Sequence, residues 1–455
     1  MSNKFFRSAL ESVSLNNTID TDFHGNLSLE EEAIIFDDAI NDYNEIGSDI
    51  AEVERISQVS DGLDDLATIA DSIDTATPQE VALIQTVGQM AVAGTNVDPS
   101  EVVPTVTSAD LVNTDGTSVP SLESFIGNKI SVAGIREVAA KIWEKIKAFV
   151  AYIWEKITRF IHDIWVGIPR IKNTIEVLKV KVAEMNKNKL AVDANNRISF
   201  IRNVPGLMVA GKLVNSGSSL ITELGKLQAV SKVVFEEYVN ALVNRGHAIA
   251  GVMYSNEENG LEKTGKKLFG SIQKTPFPKF QGKKQSGNLL GNFYIEHSNY
   301  SDGSEVNGET DDIILALEVA RSFNISVSDN EIIPVTKEQK SMPVLTLDEI
   351  SKVLANLDSL ITTVEQFESK GYSKLLANAV NITNSFNKFS RDVQAKGDDE
   401  PRNKAIYKGI VDFGTTYSKW AYSPTSPTII NVVRVIRSTM VAINKSIALY
   451  PVVVV

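Results

Sequence analysis

The chain has 455 residues, 43% of them hydrophobic, enough to bury a sizeable core and to make two or three domains. It contains no cysteine, which excludes disulfides, thiolate nucleophiles and zinc–thiolate centres and fits a cytosolic or virion setting. The net charge of −12 conceals an asymmetry: 24 acidic residues stand against 3 basic ones up to Glu123, then 33 against 42 from Ser124 onward. A part of net charge −21 therefore precedes a body of +9. That arrangement is expected where an acidic segment masks a basic one or repels a polyanion until it is removed. The alternative is an acidic domain beside a mildly basic one.

The first residues, MSNKFFRSALESVSLNN, hold no apolar run long enough for a signal peptide, and no later segment is apolar enough to span a bilayer, so a soluble protein is expected. From Leu29 to Ile56 the apolar residues fall at helical spacing, opened by the capping-box pair Ser28 and Glu31. Shorter helical pieces follow at Leu63–Ile73 and Pro78–Ala93. Residues 1–94 thus read as an acidic, helical, propeptide-like segment. Residues 95–123, with Pro99, Pro104 and Pro120 among Thr, Ser, Asn and Asp, read as an extended linker open to proteolysis.

Residues 124–254 open on a repeat. Trp143, Trp154 and Trp165 are spaced at intervals of 11, as are Ile142, Ile153 and Ile164. That period keeps a stripe nearly straight along a helix, here from about Ile135 to Ile168 and ~50 Å long, with Pro169 as its expected stop. The Trp stripe with basic flanks suits either a packed core or oligomer helix or one lying in a membrane interface. Helical periodicity continues over Lys172–Leu190 and Leu213–Met253.

Residues 255–345 change character to a Lys- and Gly-rich insertion containing β-structure, with a strand at Phe293-Tyr294-Ile295 and a helix at Ile313–Ser322. Within it Lys263, Lys266, Lys267, Lys279, Lys283 and Lys284 interleave with Phe269, Phe277 and Phe280. Such lysines are candidate phosphate contacts and such rings candidate stacking platforms; the alternative is a solvated loop. Residues 346–455 return to helices at Leu347–Ser369 (capped by Thr346 or Asp348), Tyr372–Ala395, Asn403–Trp420 and Ile429–Leu449. The apolar tail Tyr450–Val455 is expected to bury against a neighbour. The fold class expected is mainly α: a long amphipathic helix and a helical bundle, with a small β-containing insertion and a separate acidic helical N-terminal segment.

No enzyme is expected, nor any cofactor or metal. His24, His162, His247 and His297 stand singly without metal-ligand spacing. Gly409–Ser418, GIVDFGTTYS, resembles the first phosphate-binding hairpin of the actin and heat-shock ATPase family. That hairpin opens its fold, whereas only 37 residues follow Ser418.

An acidic helical segment, a linker, the tripeptide Ser121-Leu122-Glu123 and a basic helical body together resemble the internal head (inner body) proteins of phiKZ-like giant tailed bacteriophages. The resemblance implies a virion structural protein, assembled in the host cytoplasm and placed inside the capsid among other virion proteins. It implies that a prohead protease cuts after a Ser/Ala-x-Glu tripeptide, here after Glu123, leaving Ser124 as the new N-terminus. It implies further that the basic body lies against packaged DNA and could be ejected with it. Ala9-Leu10-Glu11, Ser28-Leu29-Glu30, Ser255-Asn256-Glu257 and Ala316-Leu317-Glu318 match the tripeptide as well; Glu123 differs in ending the linker at the charge switch. The competing expectation is a membrane-active, toxin-like helical protein whose acidic pro-region holds back the Trp143, Trp154 and Trp165 helix.

Overall fold

The computed structural model describes residues 29–31, 33, 165, 167–193, 195–200, 204–255, 260–283, 285–298, 312–331, 341–394 and 401–451. Two compact units divide the chain, Met1–Thr21 with Tyr43–Thr158 and Asp22–Asp42 with Arg159–Val455, and every described residue belongs to the second. Most of the expected acidic helices, the 95–123 linker, Ser121, Leu122, Glu123, Ser124, Trp143, Trp154, Lys284 and the last four residues lie outside the described residues.

The described unit is mainly helical, as its periodicity predicts. Helix α1 (167–187) buries Ile168, Ile171, Ile175, Leu178, Val182 and Met185, an alternation of three and four residues that makes one apolar seam. Pro169 does not end a helix as expected, because residue 165 and residues 167–187 are all helical. A proline inside a helix costs on the order of 3 kcal/mol. Burying Ile168 and Ile171, 2% and 4% exposed, returns ~1.5–3 kcal/mol each, so packing overrides the local breaker.

Three short strands and a turn follow. Strand β1 (Arg197–Ser199) pairs antiparallel with the later β6 (Ser341–Pro343). A 3-10 turn, Pro205–Leu207, leads into the hairpin β2 (Met208–Val209) and β3 (Lys212–Leu213). Both loop residues, Ala210 and Gly211, have positive φ, the type I′ geometry whose twist matches a tight hairpin.

The core is built on two long helical runs lying side by side. The first is α2 (Gly217–Lys232), a π-helical turn (Val233–Tyr238) and α3 (Val239–Tyr254); the second is α6 (Leu347–Gln366), a π-helical turn (Phe367–Tyr372) and α7 (Ser373–Gln394). The expected break before Tyr372 is therefore a continuous run, because the wider π turn carries the backbone past it without unpairing. Asn356 donates to the Ile221 carbonyl, Phe235 stacks on Phe367 at 4.9 Å, and Asn378 donates to the Val243 carbonyl at 2.7 Å. Numbers rise together along both runs, so they are parallel, and the two π turns meet at one level. Buried positions repeat between them at a separation of 133: Leu220 with Val353, Leu224 with Leu357, Leu227 with Leu360, Leu242 with Leu375, Ile249 with Ile382. Helix α1 runs antiparallel to α6, shown by Trp165 on Tyr372, Lys172 on Glu365 and Lys179 on Asp358.

Parallel neighbours need a long crossover, and residues 255–346 supply it. It carries α4 (Leu261–Gln273), β4 (Phe293–Ser298), α5 (Ile313–Ser322), β5 (Asn324–Asp329) and β6. Strands β4 and β5 pair antiparallel from Phe293↔Asp329 to Ser298↔Asn324. Thr346 and Glu349 form the capping box that starts α6, and the Asp312 carboxylate caps α5. Helix α8 (Pro401–Tyr422) closes on α4 and α5. The last helix, α9 (Thr425–Ile447), is buried on almost every side and so runs through the core. Gly206 of the 3-10 turn lies so close to it that a Cβ there would sit 2.7 Å from the Arg434 carbonyl oxygen.

Candidate polyanion face and the buried arginine behind it

The expected lysine-rich loop is in part a helix. In α4 the residues Thr264, Gly265, Leu268, Phe269 and Ile272 face inward, and Lys263, Lys266 and Lys267 are exposed. Alternating lysine and glycine hid a helical period that the buried positions reveal. Lys279 and Lys283, on the segment after α4, are exposed as well. Lys266 pairs with Glu262 at 2.9 Å, and that hydrogen bond and charge, with the Arg402 charge from α8 behind them, hold the Glu262 carboxyl below its ordinary pKa. Residue Arg402 is itself exposed, so α4 and the start of α8 share a basic face that sequence reasoning confined to one element. The interleaved rings do not belong to that face. Phe269, Phe277 and Phe280 are 5%, 7% and 3% exposed and offer no surface on which a base could stack.

Those rings belong to a buried cluster instead. Tyr238 and Phe323 both stack on Phe277, at 4.7 and 5.1 Å, and the Trp420 edge meets the same ring at 5.5 Å. The Tyr238 hydroxyl donates to the Trp420 carbonyl at 2.5 Å, and Trp420 Nε1 donates to the Phe323 carbonyl at 2.6 Å. At the centre lies Arg245, 5% exposed, its guanidinium 3.8 Å from the Phe277 ring centroid and 4.9 Å from that of Trp420. It donates to the Thr275 carbonyl from Nε at 3.1 Å and from Nη2 at 2.5 Å, and to the Ile272 carbonyl at 3.4 Å. These carbonyls end α4, where the helix dipole places partial negative charge. Burial lowers the Arg245 pKa to about 10, so it remains charged at neutral pH, and burial raises those of Tyr238 and Tyr417. The charge fastens the lysine-bearing helix to α3. Arg245 carries no local motif, but it falls on the stripe between Leu242 and Ile249, a position where an arginine must find partners indoors.

His297 sits at the edge of this cluster, 7% exposed and within 5.5 Å of the Phe280 and Phe323 rings. Burial first, and the Lys279 charge second, push its pKa down to about 4. The unfolded chain protonates near 6.5. Between those values unfolding takes up a proton, so stability falls as pH drops from about 6.5 towards 4, by a total on the order of 3 kcal/mol. Urea midpoints at neutral and acid pH measure the fall. His297→Phe, which keeps a ring against Phe280 and Phe323, is expected to remove that share of the slope.

Of the three repeated tryptophans, Trp165 is described, half-buried, with its ring edge-on to Tyr372 at 4.8 Å. It packs on the body at the level of the paired π turns. His247 is exposed on α3. The Gly409–Ser418 stretch lies wholly within α8, with Ile410, Phe413 and Tyr417 buried, and so is no phosphate-binding hairpin. Asp412 of that stretch pairs with Arg321 of α5. Among the described residues no cluster of metal-ligating side chains occurs, and no helix is long and apolar enough to cross a membrane.

What the described residues define is a mainly helical body with exposed lysines on α4 and a buried aromatic and arginine cluster behind them. The sequence model of the phiKZ-like phage internal head proteins matches residues 30–445, and the chain belongs to that family. It is a phage virion structural protein, located inside the capsid with other virion proteins as its partners. No curated protein and no solved structure matches the chain.

Proposed function

We propose that residues 1–123 are an acidic propeptide, comprising the 1–94 segment and the 95–123 linker. In this reading a prohead protease removes it after Glu123 during assembly in the host cytoplasm, and the basic body then lies against packaged DNA. The observation that carries the reading is the reversal of net charge from −21 to +9 at Ser121-Leu122-Glu123. The exposed Lys263, Lys266, Lys267, Lys279 and Lys283 support the second half, since each phosphate neutralised releases counterions and makes binding salt-dependent. The choice among tripeptides is supported too: Ala316-Leu317-Glu318 lies in α5 with Leu317 fully buried, where a protease must first unfold the helix.

Intact mass and N-terminal sequencing of the protein from purified virions test the first half. A start at Ser124 is expected; a start at Met1 or Ser2 sinks the propeptide. For the second half, the combined change Lys263→Ala, Lys266→Ala and Lys267→Ala in the virion form is expected to lower the slope of log affinity for duplex DNA against log salt by about 2–3, near 0.9 for each phosphate that a lysine no longer neutralises. An unchanged slope would remove α4 from the DNA-facing surface.

A further inference from the structure

One short piece of the acidic segment is described, and it lies against the last helix of the chain. Residues 29–31 and 33 are helical. Leu29 and Ala33 are four residues apart and so share one helical face, with Leu29 half-buried and Ala33 buried. Glu31, off that face, is exposed. Leu29 borders a small hollow with Ile171 and Thr174 of α1 and Met440 of α9. Beside it, the Glu30 carboxylate lies 2.7 Å from the Lys445 ammonium in the last turn of α9, the two side chains only 19% and 29% exposed. An apolar face and a flanking ion pair thus give the segment one seat.

We infer that residues 29–33 are a clasp: they strap the last turns of α9 to α1, and their loss loosens the C-terminal end of the body. The consequence for the processed protein rests on the propeptide reading; the clasp itself does not. Most of α9 is enclosed by the core, but its end depends on a few ties. The Ser446 hydroxyl accepts from the Leu345 backbone N–H at 3.1 Å, and the Tyr450 hydroxyl donates to the Leu345 carbonyl at 3.0 Å. Both reach the same residue ahead of α6. The clasp adds a tie from the opposite end of the chain. Its contacts are few, but a tethered segment acts at an effective concentration on the order of millimolar, which lets modest contacts hold. Lys445 follows Glu30 by more than 400 residues, so the clasp closes only once α9 is in place. A closed clasp therefore marks a completed body.

The test uses the full chain, with hydrogen exchange over 438–447 as its first readout. Leu29→Ser with Lys445→Glu is expected to raise exchange there about 5-fold and to leave 426–434, in the first turns of α9, unchanged. Nicking by a glutamate-specific endoprotease after Glu30, Glu31 or Glu32 is the second readout, since cutting follows the population of the open form. It should rise by the same factor. Reversing the pair, with Glu30→Lys and Lys445→Glu together, should bring exchange back towards that of the parent. Unchanged exchange and nicking in the first variant overturn the clasp and leave the propeptide reading as it stands. A reversed pair that exchanges as fast as Lys445→Glu alone overturns it too, because the ion pair then holds nothing. Protein from purified virions should exchange over 438–447 as the open variant does. A chain that starts at Ser124 yet exchanges like the parent refutes the clasp and keeps the propeptide. A chain that starts at Met1 with the clasp closed does the reverse.

Discussion

Replacing Arg245 with methionine is expected to cost about 3 kcal/mol of folding stability and to loosen α4 before the rest of the unit unfolds. Methionine fills much of the space and removes a buried charge, which by itself is favourable, since desolvating a cation costs several kcal/mol. The partners decide the sign. The Thr275 carbonyl loses both guanidinium donors, at about 1–3 kcal/mol for a group left unpaired, whereas the Ile272 carbonyl keeps the Thr275 backbone N–H and hydroxyl. The contact with the Phe277 and Trp420 faces, worth up to ~2 kcal/mol when dry, goes as well. Arg245→Lys is expected to recover less than half of the loss, because an ammonium is a point charge and cannot both bridge two carbonyls and lie flat between rings. Urea unfolding gives the free energies, and hydrogen exchange over 261–273 reports the local loosening. A methionine variant as stable as the parent would mean that the aromatic cluster, not the cation, holds α4.

The same arginine shows where reading from residues reached its limit. Elements specified by their own period were readable: α5 appears at Ile313–Ser322 as its spacing predicts, and Thr346 caps α6 as its side chain allows. Helix α4 was not, because its inward stripe includes Thr264 and Gly265, which carry no apolar signal, and leaves Leu268, Phe269 and Ile272 among three lysines and a second glycine. Pro169 misled for the opposite reason, a strong local signal overruled by the burial of its neighbours. The parallel pairing of the two long runs was out of reach, since leucine stripes at 133-residue separation specify a buried face but not which face it meets. Of the candidate site, the lysines were visible as charges and the phenylalanines as rings. That the charges point out and the rings point in depends on the helical phase of Thr264–Ile272 and on Arg245 drawing Phe277 inward. The docked Glu30 had no signal beyond its place in an acidic run, because Lys445 lies more than 400 residues away in sequence.

Gly246→Ala is expected to destabilise the unit by about 2 kcal/mol, whereas the same change at Gly225 or Gly251 should stabilise it by up to ~1 kcal/mol. All three glycines lie within α2 or α3, where alanine is the better helix former by about 1 kcal/mol. They differ in what a methyl group would meet. At Gly225 and Gly251 nothing lies within 4 Å, so only the propensity gain remains. At Gly246 the new Cβ would sit 2.3 Å from Asn378 Oδ1, 2.8 Å from its Cγ and 2.9 Å from Ile382 Cδ1, across the seam between α3 and α7. Asn378 cannot turn away freely: it is 2% exposed and donates to the Val243 carbonyl at 2.7 Å. Either that bond breaks, leaving a buried amide unpaired, or the two runs separate, and both cost more than the propensity returns. Asn378→Ala alone should cost about 1–2 kcal/mol by losing the bond and leaving a gap. In the double variant the methyl of residue 246 enters the space that Asn378 vacates. The pair is therefore expected to be at least ~1 kcal/mol more stable than the sum of the single changes, a coupling that touching residues show and distant ones do not. Additive costs, or a Gly246→Ala variant that gains stability as Gly225→Ala does, would place Asn378 away from Gly246 and with it undo the close parallel pairing on which the core is built.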